Sequence, residues 1–327
     1  MTRSPRSIDV CNGDADGLCA VVQWRLAHPC ADAELVTGLK REIALLERVH
    51  GAGAGDEVLV CDLALARNAA ALRRLLASGV RVRWFDHHAP ADELPVHPAL
   101  QLHVDTASDV CTSLLVDRAL GGAQRRWALV GAWGDNLGPV AERLAAASGL
   151  DAPACARLRA LGEALNYNAY GDDASDVCIA PAALYPLLLR HADPLEFVAC
   201  EPIAAELQRR RVDDLACARR VAPLWQGAGG SIVALPDAPW SRRVFGAFAN
   251  ELATAEPARA HAVLKARPGG AHAVSVRAPL DAPLGAHRLA QRFGGAGRAR
   301  AAGIDALAAA RLDEFVAAFA AMRWGTD

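Results

Sequence analysis

The residues of this chain best suited to chemistry are acidic positions that each follow an apolar run. They are Asp14 and Asp16 within Asn12-Gly13-Asp14-Ala15-Asp16-Gly17, Asp62, Asp86 in the triplet Asp86-His87-His88, and Asp135 in Gly134-Asp135-Asn136. Carboxylates gathered in one place repel each other, so a cluster of them either raises its own pKa values or binds cations. His87 and His88 turn the cluster into a mixed oxygen and imidazole set. Such donors suit Mn²⁺, with Mg²⁺, Co²⁺ or Fe²⁺ as alternatives, better than thiolate-seeking metals. Each element also has a plainer reading. The segment 12–17 could be only a tight turn. As a calcium loop it is poor, because the bidentate acid of a loop starting at Asn12 would fall on Gln23. Asp62 could cap the helix that follows it, and Asp135 could form a turn. The triplet resists such a reading, since three adjacent ionisable groups after the apolar run 80–85 gain nothing from core packing.

The elements that must position these groups alternate in character. Residues 7–11, 57–61, 80–85 and 100–104 read as strands, and 18–27, 64–77 and 112–120 as helices. The apolar run 127–132, ending at Gly134-Asp135, reads as a further strand. The alternation predicts an α/β domain with a mostly parallel, doubly wound sheet. In such a sheet, ligands collect at the carboxyl ends of the strands, where these acids would converge. Helices over 139–191 extend the domain, giving it the span 1–195. A charge-rich helical stretch from 195 to 221, with a break at Pro202, and a glycine-rich link at 226–230 connect it onward, so that 196–230 is read as the connector. A smaller α/β domain over 231–327 is predicted from strands at 231–235, 260–266 and 271–277, with a hairpin turn at Pro268-Gly269-Gly270. Helices at 242–255, 286–293 and 309–322 and a glycine-rich loop complete it.

Composition narrows the function classes. A chain of 327 residues with 53% apolar content suits about two globular domains. The net charge of −2 supplies no overall drive toward nucleic acid or anionic membrane. Arginine carries nearly all the positive charge, with lysine only at 40 and 265, a bias that coding composition explains together with the alanine richness. The run Arg209-Arg210-Arg211 reads as a solvated helix face. Nine cysteines are scattered without a CxxC pair, which fits buried thiols in a reducing cytosol. No apolar signal core follows the basic residues 1–6, and no apolar run is long enough to span a bilayer. A cytoplasmic location without a membrane partner is expected.

Taken together, the motifs resemble the DHH phosphoesterase family, named for the triplet present here as Asp86-His87-His88. Asp14-x-Asp16-Gly17, Asp62 and Gly134-Asp135 resemble its other motifs. The C-terminal half looks like the type-one DHH-associated domain through Val274-Ser275-Val276-Arg277, Phe293-Gly294-Gly295-Ala296-Gly297 and Ala301-Ala302-Gly303. The resemblance implies two divalent ions, Mn²⁺ foremost, and a cleft between the domains as the active site. Asp62 would bridge the ions, Asp14 would serve the first, and Asp16, His87 and Asp135 the second. Asp86 would hold the histidines while His88 faces the scissile phosphate. Arg277 would bind phosphate with its planar fork. Gly294, Gly295 and Gly297 would offer backbone N–H groups to it.

The implied activity is hydrolysis of phosphodiester or terminal phosphate bonds by a two-metal-activated hydroxide. Relatives include RecJ-like exonucleases, nanoRNases that also cleave pAp, and cyclic-dinucleotide phosphodiesterases. The near-neutral charge favours short oligonucleotides, linear dinucleotides or nucleotides over long polymers or long duplexes. A pyrophosphatase or polyphosphatase, or a non-catalytic nucleotide-binding regulator, are the alternatives. Two positions depart from the family pattern. Val10 stands where many relatives carry a histidine ligand, leaving Asn12 and water to complete the first site. Arg298 replaces the histidine of the usual Gly-His-Pro, which bears on substrate identity.

Overall fold

Several short apolar segments carry hydrophobic residues on both sides of the backbone, as strands covered by helices on both faces must. In the computed structural model, which describes residues 4–89 and 94–326, they form one parallel sheet. The chain divides into two units, Met1–Arg209 and Arg210–Asp327.

In the first unit the strands are β1 (Ser7–Asn12), β2 (Glu34–Gly38), β3 (Glu57–Cys61), β4 (Arg81–Asp86) and β5 (Leu100–Val104). They are all parallel, in the order β2-β1-β3-β4-β5. The order reverses between β1 and β3, which makes the carboxyl ends of these two strands the topological switch point. Alternate residues feed two cores. Ile8, Val10, Val60 and Trp84 pack with helix α2 (Leu65–Ala77) on one face. Cys11, Leu59, Cys61 and Phe85 pack on the other with α1 (Ala15–Ala27), α3 (Thr112–Ala119) and α4 (Arg125–Gly134). Helix α1 is buried on all sides from Ala15 to Arg25, because α3, α4, α6 (Ala152–Asn168) and α7 (Pro181–Leu189) surround it where the sheet does not. A helix so enclosed has no polar face. Helices α5 (Gly138–Ala147) and α8 (Pro194–Cys200) complete the set, the break before Pro202 falls where expected, and α9 (Pro202–Arg219) begins in this unit and ends in the second.

One sequence-based expectation needs correction here. The apolar run 127–132 is helix α4, not a strand, so Asp135 arrives at the site from a helix end. Its residues are apolar on every side because α1, α3 and α6 all pack on it. Periodicity cannot tell such a buried helix from a buried strand. The informative signal was Asn136. It sits at φ 64° just past the helix cap, with the Asn136 N–H donating to Trp133 O and the Leu137 N–H to Ala132 O. That pattern stops helices. Strand β2, with its half-exposed Glu34–Gly38, forms the edge of the sheet and has no counterpart in the sequence reading.

The second unit carries a mixed sheet ordered β10-β11-β9-β8-β7-β6. Its strands are β6 (Trp225–Gly227), β7 (Gly230–Leu235), β8 (Ala260–Ala266), β9 (His272–Arg277), β10 (Ala296–Arg298) and β11 (Ala301–Leu307). Only β7 and β8 are parallel, joined through helix α10 (Pro239–Ala255). Helices α11 (Ala286–Arg292) and α12 (Leu312–Ala320) place Leu289, Phe315 and Phe319 in the core against Ile232, Leu264 and Val276. The expected glycine-rich link at 226–230 is the β6–β7 hairpin. The expected glycine-rich loop is different too. Gly294 and Gly295 end α11, their N–H groups donating to Gln291 O at 3.1 Å and Ala290 O at 2.8 Å. Gly297 lies in β10 opposite Ala302, where a Cβ would come within 2.4 Å of the Ala302 Cα. Among the described residues no helix is long and apolar enough to cross a membrane, and no disulfide joins the cysteines.

Candidate metal centre

The site is assembled at the switch point from the first turn of α1, the residue after β3, the end of β4 and the C-terminus of α4. Asp14 is the N-cap of α1, accepting from the Gly17 N–H at 3.1 Å. Gly17 must be glycine, because a Cβ there would lie 2.3 Å from the Asn12 carbonyl oxygen. The Asp-x-Asp-Gly spacing is therefore a turn and a helix start packed too tightly for a side chain at its fourth position. Asp16 faces the other way and receives the first two backbone amides of α3. Thr112 N donates to Oδ2 at 2.8 Å and Ser113 N to Oδ1 at 2.7 Å. The first amides of a helix thus fix this carboxylate in place. Gly131 makes room, since a Cβ there would sit 2.1 Å from Ser113 Oγ.

Asp62 adopts φ 59°, a left-handed conformation that a short polar side chain tolerates. Its N–H donates to Phe85 O at 3.0 Å and its Oδ1 accepts from Thr112 Oγ1 at 3.3 Å. This bend turns the carboxylate toward His87. Asp86 organises the histidines: its Oδ1 accepts from the His87 N–H, the His88 N–H and His88 Nδ1, the last at 2.7 Å. His87 Nδ1 lies 3.1 Å from Val110 O, so that nitrogen carries the proton and Nε2 keeps its lone pair in the neutral ring. His87 Nε2 then faces Asp62 Oδ1 at 3.5 Å, Asp135 Oδ2 at 3.8 Å and Asp16 Oδ2 at 4.0 Å.

Electrostatics follow from this crowding. Burial, with Asp14 and Asp16 nearby, pushes the Asp62 carboxyl up to about 7. Burial and Asp16 likewise push Asp135 up to about 6. Burial alone would lower the His87 imidazole, yet Asp62, Asp16 and Asp135 together raise it to about 10. His88 is raised as well, against its burial, by Asp86 and Asp62. Buried carboxylates held this close are short of positive charge.

The donors fit a divalent cation. Asp16, His87 and Asp135 form one group of ligand atoms close enough to share an ion, and Asp62, His87 and His88 form another. Asp86 Oδ2 is buried without a hydrogen-bond partner. Oxygen and imidazole donors in this ratio suit the harder first-row ions.

Of the residues expected from sequence, Asp16, Asp62, Asp86, His87, His88 and Asp135 come together. Asp14 is adjacent, but its Oδ2 receives the Lys40 ammonium at 2.6 Å. Burial opposes the charge of Asp14, and Lys40 outweighs it to hold the carboxyl below its ordinary range. Sequence reasoning did not single out Lys40; its one signal was being one of only two lysines in an arginine-rich chain. Asn12, expected to help complete a metal site, is spent on structure. Its Oδ1 accepts from the Asp14 N–H and its Nδ2 donates to Lys40 O. Val10 is wholly buried in the apolar core. In the second unit, Arg277 ends β9, with Nε donating to Asn250 Oδ1 at 2.7 Å and Nη1 to Ser275 Oγ at 2.8 Å. Arg298 is exposed on edge strand β10. The amides of Gly294 and Gly295 close α11, which corrects the expectation that they would be offered to a phosphate.

No protein-family model and no curated protein matches the sequence. Solved structures do match in fold. A crystal structure of the exonuclease RecJ bound to manganese is 21% identical, with 95% of this chain covering 88% of that one at a TM-score of 0.59. RecJ from Thermus thermophilus in complex with Mn²⁺ is 23% identical at a TM-score of 0.60. There 95% of this chain covers 51% of the other, so the chain spans about half the length of that exonuclease. The pGpG-specific phosphodiesterase PggH from Vibrio cholerae is 14% identical at a TM-score of 0.57, with 96% and 97% of the two chains covered. The fold expected from the family resemblance is the fold of this chain.

Proposed function

We propose that the chain is a divalent-metal-dependent phosphoesterase acting on phosphodiester or terminal phosphate bonds of short oligonucleotides or nucleotides. The observation that carries this reading is the convergence of Asp16, Asp62 and Asp135 on one nitrogen, His87 Nε2, at the switch point of the sheet. Asp16, Asp62, His87 and Asp135 would hold the ion, with Mn²⁺ the first choice because it suits the donors and is bound in two of the similar RecJ structures, another of which holds Mg²⁺. When bound, such an ion acidifies water and draws charge from a phosphoryl oxygen. The rest is done by the chain's own backbone and side-chain groups. The α3 amides on Asp16 keep that carboxylate aimed, so it needs no rearrangement to act. Val110 O fixes the His87 tautomer. Asp86 holds the proton of His88 on Nδ1 and favours the charged ring, leaving Nε2–H of the imidazolium to donate to a phosphate oxygen or a leaving group. Asn250 and Ser275 fix the plane of the Arg277 guanidinium, which suits it to grip two phosphate oxygens. Arg298 is the residue we assign to substrate choice at the glycine-rich hairpin, with Gly297 keeping that strand close.

The reading is supported by the fold shared with an exonuclease and a pGpG-specific phosphodiesterase. The full chain supplied with Mn²⁺ would be offered pAp, pGpG, short RNA, single-stranded DNA and polyphosphate, in parallel with Asp62→Asn. Release from a short nucleotide substrate that Asp62→Asn abolishes is the expected result. Release from polyphosphate alone would replace the substrate class, and no Asp62-dependent release from any of them would sink the enzyme reading.

A further inference from the structure

The two-ion scheme implied by the family resemblance has no use for Lys40, which enters the carboxylate cluster from the loop after β2. Its ammonium donates to Asp14 Oδ2 at 2.6 Å and Asn166 Oδ1 at 3.0 Å, and lies 5.2 Å from the centre of the Tyr170 ring. The backbone of Lys40 is held from both sides. Its N–H donates to Ala169 O at 3.1 Å, and its carbonyl accepts from Asn12 Nδ2 at 3.2 Å. A lysine so anchored is a built feature of the site, where a solvated side chain would lack these partners.

The residues that would form a first-ion site are engaged elsewhere. Asp14 uses one oxygen for the Gly17 N–H and the other for Lys40. Asp14 belongs to neither group of donors that could share an ion among the described residues. Val10 is packed among Ile8, Val60 and Trp84, and Asn12 is spent on the Lys40 and Asp14 backbone. The two donor groups that do exist both depend on His87. Because Nδ1 of that ring meets Val110 O, only Nε2 can ligate and it serves one ion, so a second ion would have to draw on Asp14, whose Oδ2 Lys40 occupies.

We propose that the Lys40 ammonium takes the place of one of the two cations, so that the chain binds a single divalent ion at Asp16, Asp62, His87 and Asp135 while Lys40 balances Asp14. A fixed cation does not dissociate, so the half of the site nearest Asp14 is always neutralised and occupancy depends on one binding equilibrium. The inference rests on the metal-centre reading above, but it is read from stoichiometry and not from turnover.

The test is a metal count on the full chain, stripped with chelator, dialysed against Mn²⁺ alone and measured by plasma mass spectrometry and titration calorimetry. The expected count is one ion per chain for the wild type and one for Asp14→Asn. Lys40→Ala, which vacates the cation and leaves Asp14 uncompensated, is expected to bind about two. Two ions in the wild type, falling to one in Asp14→Asn, would overturn the substitution and leave the phosphoesterase reading standing. One ion in a folded Lys40→Ala would also overturn it, because Lys40 would then exclude nothing. No bound ion in the wild type would remove the metal centre itself. Should Lys40→Ala fail to fold by circular dichroism, the wild-type and Asp14→Asn counts decide the matter.

Discussion

Removing the charge of Asp62 should stabilise the metal-free protein, although the same change is expected to destroy the site. Burial, Asp14 and Asp16 lift this carboxyl from 3.8 to about 7, already net of attraction to His87 and His88. The folded state therefore holds the proton more tightly than the unfolded chain. Stability associated with Asp62 is full below pH 3.8, falls as the pH rises to about 7, and is flat above that. At about 1.4 kcal/mol per pH unit, the interval amounts to about 4 kcal/mol lost by pH 8. Asparagine carries no charge, tolerates the positive φ of this position and can still accept from Thr112 Oγ1. In excess chelator at pH 8, Asp62→Asn should unfold roughly 10 °C above the wild type if the first unit melts as one body. The advantage should shrink steadily below pH 7 and vanish near pH 4. Added Mn²⁺ should reverse the order, raising the wild type and leaving the variant where it was. Thermal and urea unfolding across this pH range read every part of the expectation. A variant no more stable than the wild type at pH 8 would refute the account of buried repulsion, and an equal Mn²⁺ shift in both would refute Asp62 as a ligand.

Three further outcomes follow from the same geometry. His87, raised to about 10 by its carboxylates, must lose a proton before Nε2 can take an ion. Mn²⁺ affinity should therefore climb about tenfold per pH unit from pH 7 toward pH 10, with a proton released, as calorimetry in buffers of different ionisation enthalpy would show. Affinity independent of pH between 7 and 9 would remove His87 from the donors. Gly131→Ala places a Cβ 2.1 Å from Ser113 Oγ and should cost about 1–3 kcal/mol in urea unfolding, with weaker Mn²⁺ binding because Asp16 is displaced with Ser113. Arg277→Ala should lower kcat/KM for a short phosphorylated substrate by about tenfold to a hundredfold with Mn²⁺ affinity unchanged. A fall in metal affinity would place Arg277 in the wrong role.

Much of this was legible in the residues. Ionisable groups directly after apolar strands have few structural uses, and so Asp62 and Asp86-His87-His88 point to a ligand site from their neighbours alone. The Asp-x-Asp-Gly turn was legible for a related reason, because only glycine fits where the helix start meets the Asn12 carbonyl. Asp135 is legible as a ligand candidate but not as a helix end, since residues 127–134 are apolar on every face and the one stop signal is Asn136. The glycines at 294–297 showed the opposite failure. Glycine serves phosphate loops, helix caps and tight strand pairs alike, and here it serves the last two.

Hydrophobic periodicity and ionisable side chains are local properties, which is why the alternating α/β architecture and most of the candidate ligand set could be read along the chain. How charge is balanced within that set is a property of the folded chain. The α3 amides reach Asp16 from 96 residues away, and Asn166 helps bring Lys40 onto Asp14 from 126 residues beyond the lysine. Coulomb interaction depends on distance in space, and no spacing along the chain records it. The five carboxylates of the opening pattern look equivalent in sequence. Folding gives Asp14 an ammonium, gives Asp16 a helix terminus, and leaves Asp62 and Asp135 in want of a cation.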